Sequence, residues 1–125
     1  MKTNNLTIKQ EAFCQAYIDN NDILKVEYDF KKSYGNLFYV YLLINPINNT
    51  IFYIGKGKNK RAEDHLKENK NGRISNAKKH NIINEILSHG LEPNILIFEN
   101  NLNEQDAYFI ERLLIEKLSY FISNK

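Results

Sequence analysis

The middle of the chain carries two apolar runs with the composition of β-strands. Residues 38–44 and 51–56 are rich in aromatic and β-branched side chains, and the turn formers of residues 45–49 separate them. This pattern predicts an antiparallel hairpin. Because both strands are apolar on both faces, we expect helices on two sides of the sheet or functional groups on one of them.

Apolar residues in the rest of the chain mostly recur at helical spacing. The segments with this pattern are residues 7–20, 59–68, 75–89 and 103–121. A further apolar run, residues 94–98, predicts one more short strand, while residues 21–36 predict a connector with at most one extra strand. The order of elements indicates an α+β fold in which a small, about three-stranded and mostly antiparallel sheet is flanked by helices. The N-terminal helix is followed by the order β-β-α-α-β-α.

Capping residues support the first and last helices. Thr7 and Gln10 have the spacing of a capping box, and Asn103 precedes Asp106 in an Asn-x-x-Asp arrangement. Both helices therefore have a defined start. The buried side of the first helix is expected to contain Ile8, Ala12, Ala16, Phe13 and Tyr17.

The chain length limits the number of cores. With 125 residues, of which 42% are apolar, the chain can form one domain-sized core but not two. We divide it into an N-terminal helix and connector, residues 1–36, and a main unit, residues 37–125.

Positive charge is concentrated in one segment, although the net charge is only +2. Residues 56–80 hold nine basic and three acidic side chains, whereas residues 1–55 are balanced and residues 81–125 are net acidic. Such a cluster suits the binding of a polyphosphate backbone. A solvated helix face would have the same composition, so charge alone does not decide between these interpretations.

Two classes of protein are disfavoured by the sequence. Cys14 is the only cysteine, which excludes an internal disulfide and a cysteine zinc site. No apolar run approaches the roughly 18 residues of a membrane helix, and the polar N-terminus lacks a signal-peptide core. We therefore expect a cytoplasmic protein without membrane association.

The last predicted helix places an acid within its apolar stripe. Glu111 lies four residues after Ala107 and three before Leu114, so it should face the core. Burying a carboxylate is costly unless it is paired or holds a metal. The sequence leaves two interpretations open, which are an ion pair with Arg61 or Arg112 and an oxygen ligand for Mg²⁺ or Mn²⁺.

Further polar groups lie in and after the hairpin. Arg61 and His65 are four residues apart, so on a helix they share a face and can jointly meet a phosphate. Tyr41 and Tyr53 lie on adjacent predicted strands, where their hydroxyls can donate, accept or relay a proton. Arg61 and His65 are also compatible with ordinary surface positions, and Tyr41 and Tyr53 with ordinary core positions.

Taken together, these residues resemble a known superfamily. The sequence YVY at residues 39–41, YIG at residues 53–55 and the later Arg61, His65 and Glu111 resemble the GIY-YIG nuclease superfamily in order, spacing and element type. The resemblance covers nearly the whole chain after the connector. The segment FYIGKGKNKRAEDHL is most similar to the branch that contains the LEM-domain and ankyrin-repeat endonucleases and their small bacterial and phage relatives.

The resemblance implies roles for the hairpin residues. Tyr41 matches the tyrosine of the first half-motif and Tyr53 that of the second; in the family one of them, commonly the first, takes a proton from the attacking water. Gly55 matches the closing glycine, where a side chain would crowd the substrate. Tyr39 stands where the family's first glycine would be, a departure that is usual in this branch.

The same resemblance assigns the remaining site residues. Arg61 matches the arginine that stabilises charge on the phosphate, and His65 matches a helical position that assists acid–base chemistry or orients the water. Glu111 matches the single metal-binding glutamate, and Asn124 matches a late asparagine near the site. Contacts to the substrate are expected from Gly55, Lys56, Gly57, Lys58, Lys60 and Asn124.

The implied activity is that of an endonuclease that hydrolyses DNA with one metal ion. One Mg²⁺ or Mn²⁺ held by Glu111 would polarise a phosphoryl oxygen, Arg61 would offset charge on the transition state, and a tyrosine would align the water. Because an ordinary tyrosine pKa is about 10, Lys56, Lys58 or the cation would have to favour the phenolate. The alternatives are a catalytically silent nucleic-acid-binding module of the same fold and an interaction domain with a merely solubilising basic segment.

The N-terminal helix has a separate, short resemblance. Its sequence LTIKQEAFCQAYIDN is similar to the opening helix of phage terminase small subunits. A helix that packs on the main unit is the other interpretation. Both resemblances suit a phage or mobile-element origin.

DNA is the expected partner, and the sequence leaves open the substrate preference, RNA as a substrate and a homodimer.

Overall fold

The hairpin predicted from the two apolar runs forms the centre of the fold. The computed structural model describes residues 5–33, 37–64 and 77–121. Strands β1 (Phe38–Asn45) and β2 (Thr50–Gly57) pair antiparallel, and β3 (Asn94–Leu102) pairs antiparallel with the other edge of β1. The sheet therefore has three strands in the order β2-β1-β3, which confirms the predicted α+β architecture.

Among the described residues, three complete helices surround this sheet. They are α1 (Ile8–Asn20), α2 (Ala77–Ser88) and α3 (Glu104–Leu118). A further helical stretch starts at Arg61 and is described as far as Asp64, so the later part of the helix predicted over residues 59–68 lies outside the described residues. Within the described ranges, no helix has both the length and the apolar character needed to cross a bilayer.

The predicted caps are present at both helices. The Thr7 hydroxyl accepts a hydrogen bond from the Gln10 backbone N–H at 3.0 Å, and the Gln10 side chain accepts one from the Thr7 N–H at 3.0 Å. At the start of α3, the Asn103 side chain accepts a hydrogen bond from the Asp106 N–H at 2.8 Å. These bonds satisfy N–H groups that have no partner within a helix.

The buried side predicted for α1 was wrong in part. Ile8 is 90% exposed and Ala12 is also exposed, whereas Phe13 and Tyr17 are buried as expected. Phe13 packs against the rings of Tyr28, Phe30 and Phe98, with centroids 5.2–5.5 Å away. Large rings remove more apolar area from water than alanine does, so they set the side of the helix that is buried.

The sheet is covered on both sides, as its two apolar faces predicted. On one side, residues of β1 such as Val40 and Leu42 form a core with α1 and α3. On the other side, Tyr39, Tyr41 and Leu43 form a second core with α2 and the start of the helical stretch at Arg61. The second core contains both tyrosines of β1, and the candidate site lies on this side.

A β-bulge in β2 decides which residues share this face. Near the turn, Ile44 pairs with Ile51, and continued regular pairing would set Tyr53 opposite Leu42. The register instead shifts by one residue, so that Tyr53 pairs with Leu43. A bulge of this kind changes which side of the sheet the following residues face. Tyr53 accordingly packs with the second core, on the same side as Tyr41.

The connector between α1 and β1 contains little regular structure. It begins with a 3₁₀ turn, Ile23–Lys25, and its residues up to 33 pair with the sheet through the isolated bridge between Lys31 and Ile97. The extra strand allowed by the sequence is therefore not found among the described residues. Strand β3 is longer than predicted because Glu99 and Leu102, beyond the predicted apolar run, still pair with β1.

Candidate active site

Tyr41 lies at the centre of the candidate site, on the middle strand. It pairs directly with Gly55 on β2 and is 1% exposed. A Cβ atom added at Gly55 would lie 2.6 Å from the Tyr41 hydroxyl oxygen and 3.0 Å from Tyr53 Cε2. The Tyr41 phenol therefore occupies the space above the backbone of Gly55. We predicted that a side chain at Gly55 would crowd the substrate, but the group it would meet is the Tyr41 phenol.

Tyr53 lies beside Tyr41 because of the bulge in β2. The two ring centroids are 6.3 Å apart and the rings are inclined by 37°. Tyr53 is partly exposed, whereas Tyr41 is fully buried. The phenols thus form a pair in which Tyr53 is the member nearer to solvent.

Arg61 reaches the same place from the first residue of the helical stretch that follows β2. A Cβ atom added at Gly57 would lie 2.6 Å from Arg61 Cβ and 2.7 Å from Arg61 Cγ, so the glycine makes room for this side chain. The Tyr39 phenol fixes the preceding turn, since it donates a hydrogen bond to the Asn59 carbonyl at 2.7 Å and accepts one from the Ala62 N–H at 3.2 Å. Sequence reasoning gave Tyr39 no role in holding this turn.

Electrostatic interactions link Tyr41 to groups on three other elements. Burial raises the pKa of the Tyr41 hydroxyl strongly, and the neighbouring Tyr53 and Glu111 raise it further, while the Arg61 guanidinium lowers it. Tyr53 and Arg61 lie close to this phenol by the contacts given above, and Glu111 acts on it through its charge. Together these effects raise the pKa of Tyr41 and keep its phenol neutral. A proton acceptor would need the phenolate instead.

Glu111 lies on α3, whose buried residues pack in the first core, and it is half-buried. Burial raises the pKa of its carboxyl group, and Lys56 lowers it. Of the two cationic partners considered from the sequence, Arg112 is exposed and donates a hydrogen bond to the Tyr108 hydroxyl at 3.0 Å. Lys56 on β2 is a cation whose charge acts on Glu111.

The donor set fits a hard divalent cation with few protein ligands. Within residues 5–33, 37–64 and 77–121 there is no group of three or more His, Cys, Asp or Glu side chains suited to a metal. Glu111 nonetheless offers one partly desolvated carboxylate among phenols. Magnesium commonly uses one or two carboxylates and completes its shell with water and substrate phosphate oxygens.

The lysines around the glycines differ in their surroundings. Lys56 Nζ lies 3.4 Å from a Glu104 carboxylate oxygen and 5.5 Å from the centre of the Phe38 ring. Lys58 Nζ lies 5.4 Å from the centre of the same ring, and Lys60 is exposed in the turn that leads to Arg61. Lys56 and Lys58 thus put positive charge beside Phe38, at the ends of β1 and β2, and Phe38 packs against the first core.

Two predicted site residues lie outside the described residues. They are His65, expected to share a helix face with Arg61, and Asn124, expected near the C-terminus. Their roles stay predictions.

Sequence reasoning missed Lys79, which the fold brings to this side of the sheet. Lys79 is 6% exposed, and its Nζ lies 5.0 Å from the centre of the Tyr53 ring. Its position on α2 is in helical register with Ile82, Ile83 and Ile86. A lysine within an apolar stripe is the same signal that singled out Glu111, and it was available in the sequence.

Comparison with known proteins identifies one family. A family model described as a LEM-3-like GIY-YIG domain matches residues 38–124, which include every predicted site residue. The match does not include α1, so it provides no support for the terminase resemblance of that helix. No curated protein and no solved structure matches the chain significantly.

Proposed function

Because the chain belongs to the LEM-3-like GIY-YIG family, we propose that it is a metal-dependent endonuclease that hydrolyses phosphodiester bonds in DNA. One observation carries the proposal. The buried phenol of Tyr41 interacts electrostatically with Tyr53, Arg61 and Glu111, which come from β2, the stretch after it and α3. Phenols, a guanidinium and a carboxylate are groups that hydrolysis of a phosphodiester would use, and this supports the proposal.

Each side chain has a role that its chemistry supports. The Arg61 guanidinium offers planar donors for two phosphate oxygens and offsets negative charge in the transition state. Tyr53, the more exposed phenol, lines up the attacking water. Tyr41, which burial keeps protonated, acts as a fixed hydrogen-bond group beside it. Lys56 and Lys58 attract the DNA backbone.

Glu111 is the residue that would hold a divalent cation. A bound Mg²⁺ or Mn²⁺ would supply Lewis-acid stabilisation of charge on the phosphoryl group. Glu111 itself contributes a carboxylate whose desolvation makes association with a cation more favourable than it would be in water. Lys56 occupies the same neighbourhood and limits the cost of that buried charge.

The experiment is a cleavage assay on supercoiled and branched DNA with Mg²⁺, Mn²⁺ or EDTA. We expect cleavage only with metal. Glu111→Gln and Arg61→Gln should each reduce the rate about a hundredfold or more, since each removes charge stabilisation. The matched controls are Glu116→Gln and Arg112→Gln, which change the same charges at exposed positions of α3 and should cleave normally.

The outcomes separate the functional classes. Cleavage by Glu111→Gln at the wild-type rate, or cleavage in EDTA, would contradict the proposed mechanism. A shifted DNA band without cleavage would support the alternative, a silent nucleic-acid-binding module. If the protein neither cleaves nor binds DNA, an interaction domain is the remaining interpretation. A matching RNA substrate, run in parallel, determines whether the activity is confined to DNA.

A further inference from the structure

A buried lysine lies under the tyrosine pair. Lys79 is 6% exposed on α2, whereas the neighbouring Lys78 on the same helix is exposed. Removing an ammonium group from water is costly unless nearby groups compensate its charge. A position in the apolar stripe of α2 therefore implies that the surroundings of Lys79 stabilise a positive charge.

Tyr53 supplies one part of that stabilisation. The Lys79 Nζ lies 5.0 Å from the centre of the Tyr53 ring, within the range at which a cation is attracted to an aromatic face. The contact joins α2 to β2, and its strength is enhanced because water is largely excluded from Lys79. The same contact restricts the orientation of the Tyr53 ring beside Tyr41.

We propose that Lys79 is a positioning residue for Tyr53, holding its ring and keeping a fixed positive charge beside its phenol. The inference rests on the proposed nuclease function. The deprotonated form of Tyr53, which carries negative charge on the phenol oxygen, can accept a proton from the attacking water. A cation that the fold already holds in place stabilises that charge without any rearrangement at the moment of reaction.

Lys79 differs from the other cations of the site in the residue on which it acts. Arg61 lies on the stretch after β2 and acts on Tyr41, and Lys56 acts on Glu111. Lys79 approaches from α2 and contacts the ring face of Tyr53. Its effect should therefore pass through Tyr53 and leave DNA binding unchanged.

The test compares Lys79→Met with Lys78→Met in the full chain. Both substitutions remove one positive charge from α2 and retain a long side chain, but only the first removes the cation at Tyr53. We expect Lys79→Met to lower kcat about 30-fold with KM for DNA unchanged, and Lys78→Met to leave kcat unchanged. Lys79→Arg, which keeps the charge, should restore most of the rate. Equal kcat values for the wild type and Lys79→Met would overturn the inference.

A double variant tests whether Lys79 acts through Tyr53. In a Tyr53→Phe background, where the phenol is already absent, adding Lys79→Met should cause little further loss of kcat. A full additional 30-fold loss would mean that Lys79 acts elsewhere, and it would overturn the positioning role.

Nuclear magnetic resonance provides a measurement that does not depend on cleavage. In the wild-type protein, nuclear Overhauser effects are expected between the Lys79 ε-protons and the Tyr53 ring protons. The Tyr53 ring signals should shift in Lys79→Met and stay in place in Lys78→Met. Missing contacts would overturn the inference even if Lys79→Met did not fold. If the contacts are present but the wild type cleaves no DNA, the proposed function has failed, and the positioning role of Lys79 in cleavage fails with it.

Discussion

Replacing Gly55 with alanine tests the packing that holds Tyr41 in the site. The added Cβ atom would lie 2.6 Å from the Tyr41 hydroxyl oxygen and 2.7 Å from its Cζ. An ordinary contact begins at 3.4 Å, so the phenol has to move by about 0.8 Å. Both residues are buried in paired strands, which leaves the ring little free space. The phenol, rather than the backbone, should give way.

The expected loss follows from this displacement. Overfilling a packed core costs about 1–3 kcal/mol of unfolding free energy. A misplacement of about 1 Å in a catalytic group costs about a hundredfold in rate. We therefore expect Gly55→Ala to fold, to unfold at lower denaturant concentration, and to cleave DNA about a hundredfold more slowly. Chemical denaturation followed by circular dichroism and a plasmid cleavage assay measure the two effects.

Ile54→Val is the matched control for Gly55→Ala. Ile54 is the adjacent residue of β2, but it packs in the core on the opposite side of the sheet. Its substitution should cost about 1 kcal/mol of stability and leave the cleavage rate unchanged. In addition, the double variant Tyr41→Phe/Gly55→Ala tests whether both changes act on the same phenol. Its fold loss of cleavage rate should be smaller than the product of the fold losses of the two single variants. A Gly55→Ala protein with wild-type stability and rate would refute the packing argument.

Three further predictions concern other buried groups. Burial raises the pKa of Glu111 in the folded chain above the ordinary value of 4.5, so the folded chain holds a proton there more readily than the unfolded chain does. The free energy of unfolding should therefore fall as the pH rises from about 4.5 through the raised pKa. Glu111→Gln should remove this part of the decline, as measured by melting temperature against pH; an unchanged pH profile would contradict the assignment. Tyr17→Phe removes the hydroxyl that accepts a buried hydrogen bond from the Ile51 N–H at 2.8 Å. Denaturation should therefore show that the free energy of unfolding falls by about 1–3 kcal/mol. The control Tyr120→Phe, at an exposed position, should change it hardly at all. Burial raises the pKa of the Cys14 thiol to about 11, so a thiol reagent at pH 8 should label it only after denaturation, and rapid labelling of the native protein would disprove its burial.

Much of the fold could be predicted from local patterns. Helix caps depend on residues three apart, so Thr7 with Gln10 and Asn103 with Asp106 identified the starts of α1 and α3. The continuation of β3 to Leu102 was missed because the polar residues 99–101 interrupt its apolar run. Backbone pairing depends on the neighbouring strand, which a local pattern does not include.

The candidate site was predicted unevenly for a similar reason. Glu111 was found because an acid in an apolar stripe is visible along one helix. Lys79 shows the same pattern on α2 but lies within a segment rich in positive charge, where one more lysine is inconspicuous. For Glu111 we considered Arg61 and Arg112 as partners and did not consider Lys56, which lies on another element and lowers the pKa of the Glu111 carboxyl group.

The sequence alone determined the types of element, the two covered faces of the sheet and the residues available for chemistry, because hydrophobic periodicity and capping act over a few neighbouring residues. Only the tertiary structure decided that Tyr53 shares a face with Tyr41. Regular pairing from the turn would have set Tyr53 opposite Leu42, and the bulge in β2 moves it to Leu43. Strand register depends on interactions between two strands and their cores, so side-chain alternation within one strand could not reveal it.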